Sequence, residues 1–145
     1  MLLDRSDGTA RANAWRCMSG NLMHDPCFSR GTGGSGAFGV CAGSPFQRTV
    51  VKFELTKPLP YTNGNKNVDP TRFDPWGIRL TTGVTCVNLQ GATGTIAGLR
   101  IGYLCSNTGV LVGSPKRSAS PWRIYFAKGF TGTKLSTVSI SQAWW

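Results

Sequence analysis

The sequence predicts an all-β fold, a single small antiparallel barrel or sandwich of about eight short strands. Two observations predict it: segments of alternating apolar and polar residues recur from residue 50 to the end of the chain, and turn-forming Gly, Asn and Pro residues separate them. No ten-residue segment keeps the 3.6-residue period of an amphipathic helix. At 145 residues the chain has the length of one domain, residues 1–145, with an irregular cap expected over 1–45 and a β core over 46–145.

The predicted strands follow one another along the β core. Residues 50–55 alternate apolar Val51, Phe53 and Leu55 with charged neighbours, which is typical of a half-buried strand. Residues 61–75 are rich in turn formers and predict a long surface loop. Residues 76–112 contain several short strands joined by Gly-containing turns, which indicates an antiparallel meander, and segments 121–128 and 133–145 add two more strands.

The chain is strongly basic, with 16 Lys and Arg against six Asp and Glu and a formal net charge of +10. The basic residues are dispersed, and only Lys116 and Arg117 are adjacent, so the chain has neither a basic tail nor a nuclear-import cluster. A dispersed positive surface attracts polyanions through a weak electrostatic interaction that salt screens. We therefore expect nucleic acid to bind only non-specifically.

The cysteine content indicates the compartment. No apolar segment reaches the roughly 18 residues of a membrane span, and the N-terminal segment lacks the apolar core of a signal peptide. Five separate cysteines in a β-patterned chain nevertheless favour an oxidising compartment. We expect a secreted or cell-surface protein whose signal peptide has been removed from this chain.

The cysteine spacing predicts disulfides rather than a metal site. Zinc sites usually contain Cys-x2-Cys pairs and haem attachment needs Cys-x-x-Cys-His; neither pattern occurs, so we expect no metal and no cofactor. Cys86 and Cys105 lie on candidate neighbouring strands, and Cys27 and Cys41 bracket a Gly-rich loop, which favours these two pairs. Cys17 is then the unpaired thiol, although pairing of Cys17 with Cys27 or Cys41 stays open.

The chain offers no set of residues suited to catalysis, and we expect it not to be an enzyme. His24 is the only histidine, and its place before Asp25 and Pro26 is typical of a turn. The segment GTGGSG lacks the preceding strand and following helix of a nucleotide-binding loop. Five of the six acids lie near the N-terminus or in turn segments, which disfavours the paired carboxylates of a glycosidase.

Five segments carry a resemblance to a known group: AWRCMSGNLMHDPCF, VKFELTKPLP, DPWGIRLTTGVTCVNLQGAT, GLRIGYLC and SQAWW. They are similar to a little-characterised group of secreted or lipid-anchored actinobacterial proteins. In that group a DPCF segment precedes a DPW strand and a region with a Cys-to-Cys hairpin. The resemblance covers most of residues 14–145. It implies export and a disulfide-linked β fold, and it implies no activity, catalytic residue or ligand.

Aromatic residues beside basic residues predict the binding surface. The candidate binding residues are Trp15, Arg16, Trp122, Arg123, Tyr125 and Trp144. Aromatic and Arg side chains together suit stacking on glycans, contact with anionic wall polymers, or protein hot spots. We expect Trp76 and Trp122 to lie in the core. We expect Trp15 and the C-terminal pair, Trp144 and Trp145, to be partly exposed.

These observations predict a non-catalytic, secreted, cationic and disulfide-stabilised β-domain. Its expected partner is an anionic polymer or glycan of the cell envelope. The alternative is an extracellular protein-interaction or inhibitor module that presents the loop closed by Cys27 and Cys41 to a protein partner.

Overall fold

The computed structural model describes residues 2–5, 14–30, 38–55, 69 and 72–145, and antiparallel strands dominate them. The described strands are β1 (Leu2–Arg5), β2 (Ala14–Ser19), β3 (Leu22–Arg30), β4 (Phe38–Cys41), β5 (Val51–Glu54), β6 (Gly77–Leu80), β7 (Thr85–Asn88), β8 (Thr95–Ile96), β9 (Leu99–Cys105), β10 (Val110–Lys116), β11 (Arg123–Ala127) and β12 (Ser136–Trp144). The all-β prediction is confirmed. In this part of the chain, no helix is long and apolar enough to cross a membrane.

The chain divides into two compact units. The first unit comprises Met1–Phe73 with Trp145, and the second comprises Asp74–Trp144. The assignment of residues 1–145 to one domain, with a cap that ends at residue 45, stays a prediction. Most of the loop predicted at 61–75 lies outside the described residues.

The first unit contains a five-stranded antiparallel sheet in the order β1-β2-β3-β4-β5, so each strand pairs with the next along the chain. The pairing of β2 with β3 shifts register between Trp15 and Cys17, and Pro26 lies inside β3. A bulge and a proline both interrupt the two-residue alternation of a strand. The described part of the first unit therefore forms more regular strands than the alternation in its sequence indicates.

The core of the first unit is small and rich in sulfur. Its buried members are Trp15, Cys17, Cys27, Cys41 and Leu55, with Phe53 packed against them. Gly39 is the cross-strand partner of Phe53, and a Cβ atom at Gly39 would overlap the Phe53 ring. Glycine at this position therefore lets the ring lie flat on the neighbouring strand.

The second unit contains a closed six-stranded barrel. Its strands follow the order β10-β11-β12-β6-β7-β9, and the pairing of β9 with β10 closes the ring. β8 forms a short hairpin with β9. Closure pairs every strand of the ring on both sides, which removes the exposed edges that an open sheet would have.

All six strands of the ring contribute to one buried cluster, which therefore fills the barrel interior. Its members are Ile78, Leu80, Cys86, Tyr103, Cys105, Leu111, Ile124 and Ile140. A second cluster draws only on β8, β9, β10 and β11, and it lies on the outer side of the wall. Its buried members are Ile96, Ile101, Val110, Val112 and Ala127. Successive residues of β10 point to opposite faces, so Leu111 faces inward between Val110 and Val112.

Tyr103 carries a polar group inside the barrel. Its hydroxyl donates a hydrogen bond to the Pro75 carbonyl oxygen at 2.9 Å, and the side chain is fully buried. Burial, and then the nearby Asp74 carboxylate, raises the pKa of Tyr103 above its usual value. The hydroxyl therefore stays protonated and keeps donating to Pro75.

Replacement of Tyr103 by Phe is expected to lower the free energy of unfolding by about 1–3 kcal/mol, because it leaves the buried Pro75 carbonyl without this donor. Urea denaturation at neutral pH measures the change. Tyr125→Phe is the matched control: its hydroxyl accepts from exposed Lys116, so we expect a loss below about 0.5 kcal/mol. Equal losses in the two variants would contradict a structural role for the Tyr103 hydrogen bond.

Candidate functional site

Positive charge is concentrated on the barrel unit. Residues 74–144 contain seven Lys and Arg and one acid, Asp74, which gives +6, whereas residues 1–73 contain nine Lys and Arg and five acids, which gives +4. The seven cations of the barrel unit are Arg79, Arg100, Lys116, Arg117, Arg123, Lys128 and Lys134. Asp74 accepts a hydrogen bond from Ser114 Oγ at 2.9 Å. This unit therefore offers a positive surface with one competing carboxylate.

Four of these cations lie on or near strand β11. Lys116 is the cross-strand partner of Arg123 at the start of β11. Lys128 directly follows the strand, and Lys134 lies two residues before β12. All four side chains are exposed. We call these four cations and Tyr125 the β11 track; at roughly 3.3 Å per residue, Arg123 and Lys128 lie on the order of 17 Å apart along it.

A pocket of about 530 Å³ lies at the Lys128 end of the β11 track. Its lining includes Phe126, Lys128, Thr133, Lys134, Leu135 and Ser136. A Cβ atom at Gly109 would overlap the Phe126 ring, so glycine there makes room for one wall of the pocket. An apolar wall with two ammonium groups beside it suits a ligand that combines an apolar or sugar face with negative charge.

Tyr125 lies in the middle of the β11 track. It shares a strand face with Arg123 because the two residues are two positions apart. Tyr125 is half-buried and packs against the outer cluster. The Lys116 ammonium donates to the Tyr125 hydroxyl at 2.6 Å and lies 4.1 Å from the ring centroid. Among the predicted binding residues of the barrel unit, the structure thus brings Arg123 and Tyr125 together.

Trp122 and Trp144 lie at other places on the barrel unit. Trp122 packs against the interior cluster, as expected for a core residue. The Arg117 guanidinium carbon lies 5.2 Å from the centroid of the Trp122 ring. Trp144 is half-buried, and the Arg79 guanidinium lies 5.5 Å from its ring. Arg79 also donates to Gln142 Oε1 at 3.1 Å. Each ring therefore already has a cationic neighbour within the protein.

The expectation that Trp15 is partly exposed is wrong. Its ring is 4% exposed and packs into the sulfur-rich core of the first unit, because Trp15 and Cys17 are two positions apart on β2 and share its buried face. Arg16 points away and forms an ion pair with Asp25 at 3.2 Å. Trp76 is 8% exposed and lies in the core, as expected. Neither the Trp15 nor the Trp76 Nε1 atom has a hydrogen-bond partner among the described residues.

The structure also identifies site residues that the sequence analysis missed. Phe126, Lys128, Lys134 and Leu135 line one pocket, although the two lysines are six positions apart across a turn. The turn-rich segment between them is the one local signal that β11 and β12 form a hairpin. It does not show that the apolar side chains leave a cavity there.

The structure joins Cys27 to Cys41 and Cys86 to Cys105, the two pairs that the sequence favours, and Cys17 carries a free, buried thiol. Each bridge links direct cross-strand partners, β3 to β4 and β7 to β9. Disulfides are consistent with an extracellular or oxidising location. The Sγ atoms of Cys17, Cys27 and Cys41 lie within 4.8 Å of one another, but two of them share a disulfide and are not thiolate ligands in this state.

No protein-family model, curated protein or solved structure matches this chain. The resemblance to secreted or lipid-anchored actinobacterial proteins therefore stays a prediction.

Proposed function

We propose that this chain is a non-catalytic, secreted domain whose barrel unit binds an anionic polymer or glycan of the cell envelope. One observation supports the proposal above the others: two exposed lysines, Lys128 and Lys134, line a pocket with an apolar wall in a unit with one carboxylate. A ligand in this pocket meets two ammonium groups and an apolar wall.

The charges of the β11 track are available to a ligand. Within the described ranges, neither Arg123, Lys128 nor Lys134 forms an ion pair. A bound anion therefore does not have to displace a protein carboxylate from them. Arg123 and Lys128, at the two ends of β11, lie farther apart than the size of a single small anion, which favours a polymer with repeated negative groups.

The aromatic and apolar residues supply the part of the binding that salt does not screen. Phe126 and Leu135 line the pocket. Sugar rings pack their apolar faces on aromatic side chains, and burial of apolar surface is insensitive to ionic strength in this range. Both disulfides are consistent with an extracellular or oxidising location, and export would place such a domain beside the envelope.

A protein-interaction module remains the second proposal, and the Cys27–Cys41 disulfide supports it. The bridge closes a loop across β3 and β4, which lowers the entropy cost of presenting that loop to a partner. Residues 31–37 at the tip of this loop lie outside the described part of the chain.

The test compares two double variants that each remove two positive charges. K128Q/K134Q removes the cations at the pocket, and R48Q/K52Q removes two exposed cations of the first unit. Binding to purified bacterial cell wall is measured at about 50 and about 200 mM salt, with duplex DNA as a polyanion control. We expect wild type to stay on the wall at both salts, and K128Q/K134Q to bind about tenfold more weakly while R48Q/K52Q changes less than about threefold.

Equal weakening by the two double variants would contradict the site on the barrel and assign the attraction to net charge. Release of the wild-type protein from both the cell wall and DNA at the higher salt would also contradict the site and assign the attraction to net charge. Retention of one protein from a secreted-protein extract in that case would favour the interaction module.

A further inference from the structure

Three sulfur atoms from three adjacent strands meet in the core of the first unit. Cys17 lies on β2, Cys27 on β3 and Cys41 on β4, and their Sγ atoms are within 4.8 Å of one another. Each of these residues is at most 4% exposed. A free thiol therefore lies next to both ends of a disulfide in a space from which water is largely excluded.

We propose that Cys17 is an internal exchange partner of the Cys27–Cys41 disulfide, so that the first unit interconverts between disulfide isomers that tie different strands together. This inference is independent of polymer binding by the barrel unit. It concerns a covalent switch in the protein itself.

The exchange balances without any external oxidant or reductant. The Cys17 thiolate attacks Sγ of Cys27 or Cys41, and its electron pair forms the new sulfur–sulfur bond. The Cys27–Cys41 bond breaks, and the displaced sulfur leaves as a thiolate that takes up the proton lost by Cys17. The protein keeps one disulfide and one thiol in this cluster, and only their positions change.

The strand order selects the product. Cys17 and Cys27 lie on neighbouring strands, displaced diagonally, where Cα atoms are typically about 7–8 Å apart. Cys17 and Cys41 lie on strands separated by β3, which is about 9.6 Å for two strand spacings. Disulfides need Cα atoms within about 7 Å, so the Cys17–Cys27 bridge requires the smaller backbone movement. The freed thiol is then Cys41.

This product changes the function of the bridge. The Cys27–Cys41 disulfide ties β3 to β4 and closes the segment between them. A Cys17–Cys27 disulfide ties β2 to β3 and leaves that segment without a covalent closure. Because Cys27 and Cys41 are direct cross-strand partners, we expect the Cys27–Cys41 isomer to predominate, with the exchanged isomer as a minor form.

Burial and a neighbouring carboxylate make the exchange of Cys17 dependent on pH. Burial, and then the Asp25 carboxylate, raise the pKa of Cys17 to about 11. Among the described residues, the charged and titratable groups beside it on β2 and β3 are Arg16, which pairs with Asp25, and His24, the cross-strand partner of Cys17. The thiolate is then on the order of one in 10⁴ at neutral pH and rises about tenfold per pH unit until the pKa is reached.

The experiment maps the free thiol in the native protein after incubation at about pH 7 and about pH 10, where the thiolate fraction differs by roughly three orders of magnitude. Each sample is quenched in acid, unfolded, alkylated under mildly acidic conditions and digested without reduction, and peptide fragmentation locates the label. We expect the label on Cys17 at the lower pH. At the higher pH we expect label on Cys41 as well, with less on Cys27.

Two controls separate internal exchange from scrambling. Cys86 and Cys105 form a buried disulfide outside the three-sulfur cluster and should stay unlabelled. Cys17→Ser removes the attacking sulfur and should abolish labelling of Cys41 at every pH. If this variant does not fold, the wild-type map, with Cys86 and Cys105 as internal controls, still distinguishes internal exchange from scrambling.

Three results would overturn the proposal: label confined to Cys17 after prolonged incubation at the higher pH, label on Cys86 and Cys105 as rapidly as on Cys41, or exchange whose rate increases with protein concentration. The second result would indicate global unfolding, and the third would indicate exchange between molecules.

Discussion

Alanine at both Cys86 and Cys105 is expected to lower the free energy of unfolding of the barrel unit by about 3 kcal/mol or more. The bridge closes a loop of 19 residues, for which loss of the cross-link restores about 3 kcal/mol of unfolded-state chain entropy. Both sulfur atoms also lie in the barrel interior, so alanine removes packed atoms in addition. A loss of this size is a large fraction of the net stability of a small domain. Chemical denaturation, monitored by tryptophan fluorescence, measures it.

The control for this double variant is Cys17→Ala, which removes a buried sulfur without removing a cross-link. We expect it to cost about 1 kcal/mol, since only packing is lost. Equal costs for the two variants would show that the bridge adds no stability beyond the packing of its atoms.

Leu111→Ala is expected to lower the free energy of unfolding by about 2–5 kcal/mol. Leu111 is fully buried and contacts the interior cluster, to which every strand of the ring contributes, so the cavity has packed walls on all sides. Urea denaturation gives the loss, and the slope of the transition reports whether the unfolding stays cooperative.

Leu104→Ala is the matched control for this substitution. Leu104 lies on the neighbouring strand β9, opposite Val110, but its side chain is 42% exposed. The same atoms are removed with little burial lost, so we expect a cost below about 1 kcal/mol. If Leu104→Ala costs as much as Leu111→Ala, the inward and outward faces of the barrel wall are assigned incorrectly.

Local patterns were sufficient to predict most strands of the barrel unit. Alternation and turn residues are properties of a few consecutive positions, so β6, β7, β9 and β11 are readable without knowledge of the fold. The pattern fails in β2 and β3, where a register shift and Pro26 interrupt it. The two disulfide pairs follow from similarly limited information, since each connects strands that lie close together in the chain.

The face on which an aromatic residue lies was harder to predict. Trp15 and Arg16 are adjacent and were expected to act together, but Trp15 is buried and Arg16 pairs with Asp25. Trp122 and Arg123 separate in the same way, since the ring packs on the interior cluster while the guanidinium is exposed. Neighbours in a strand point to opposite faces, so adjacency in sequence is a poor indicator of a shared surface.

The sequence alone determined the strand content and the excess of positive charge, and it favoured the two disulfide pairs, because composition, spacing and local alternation carry these properties. The structure decided that Cys17 is the free thiol. Closure of the barrel required β12 to return to β6, where Ile140 pairs with Leu80 sixty positions earlier. The sheet order β2-β3-β4 placed the Cys17 sulfur beside a disulfide. Contacts between residues distant in the chain depend on which strands pair, and that choice depends on the packing of the whole unit.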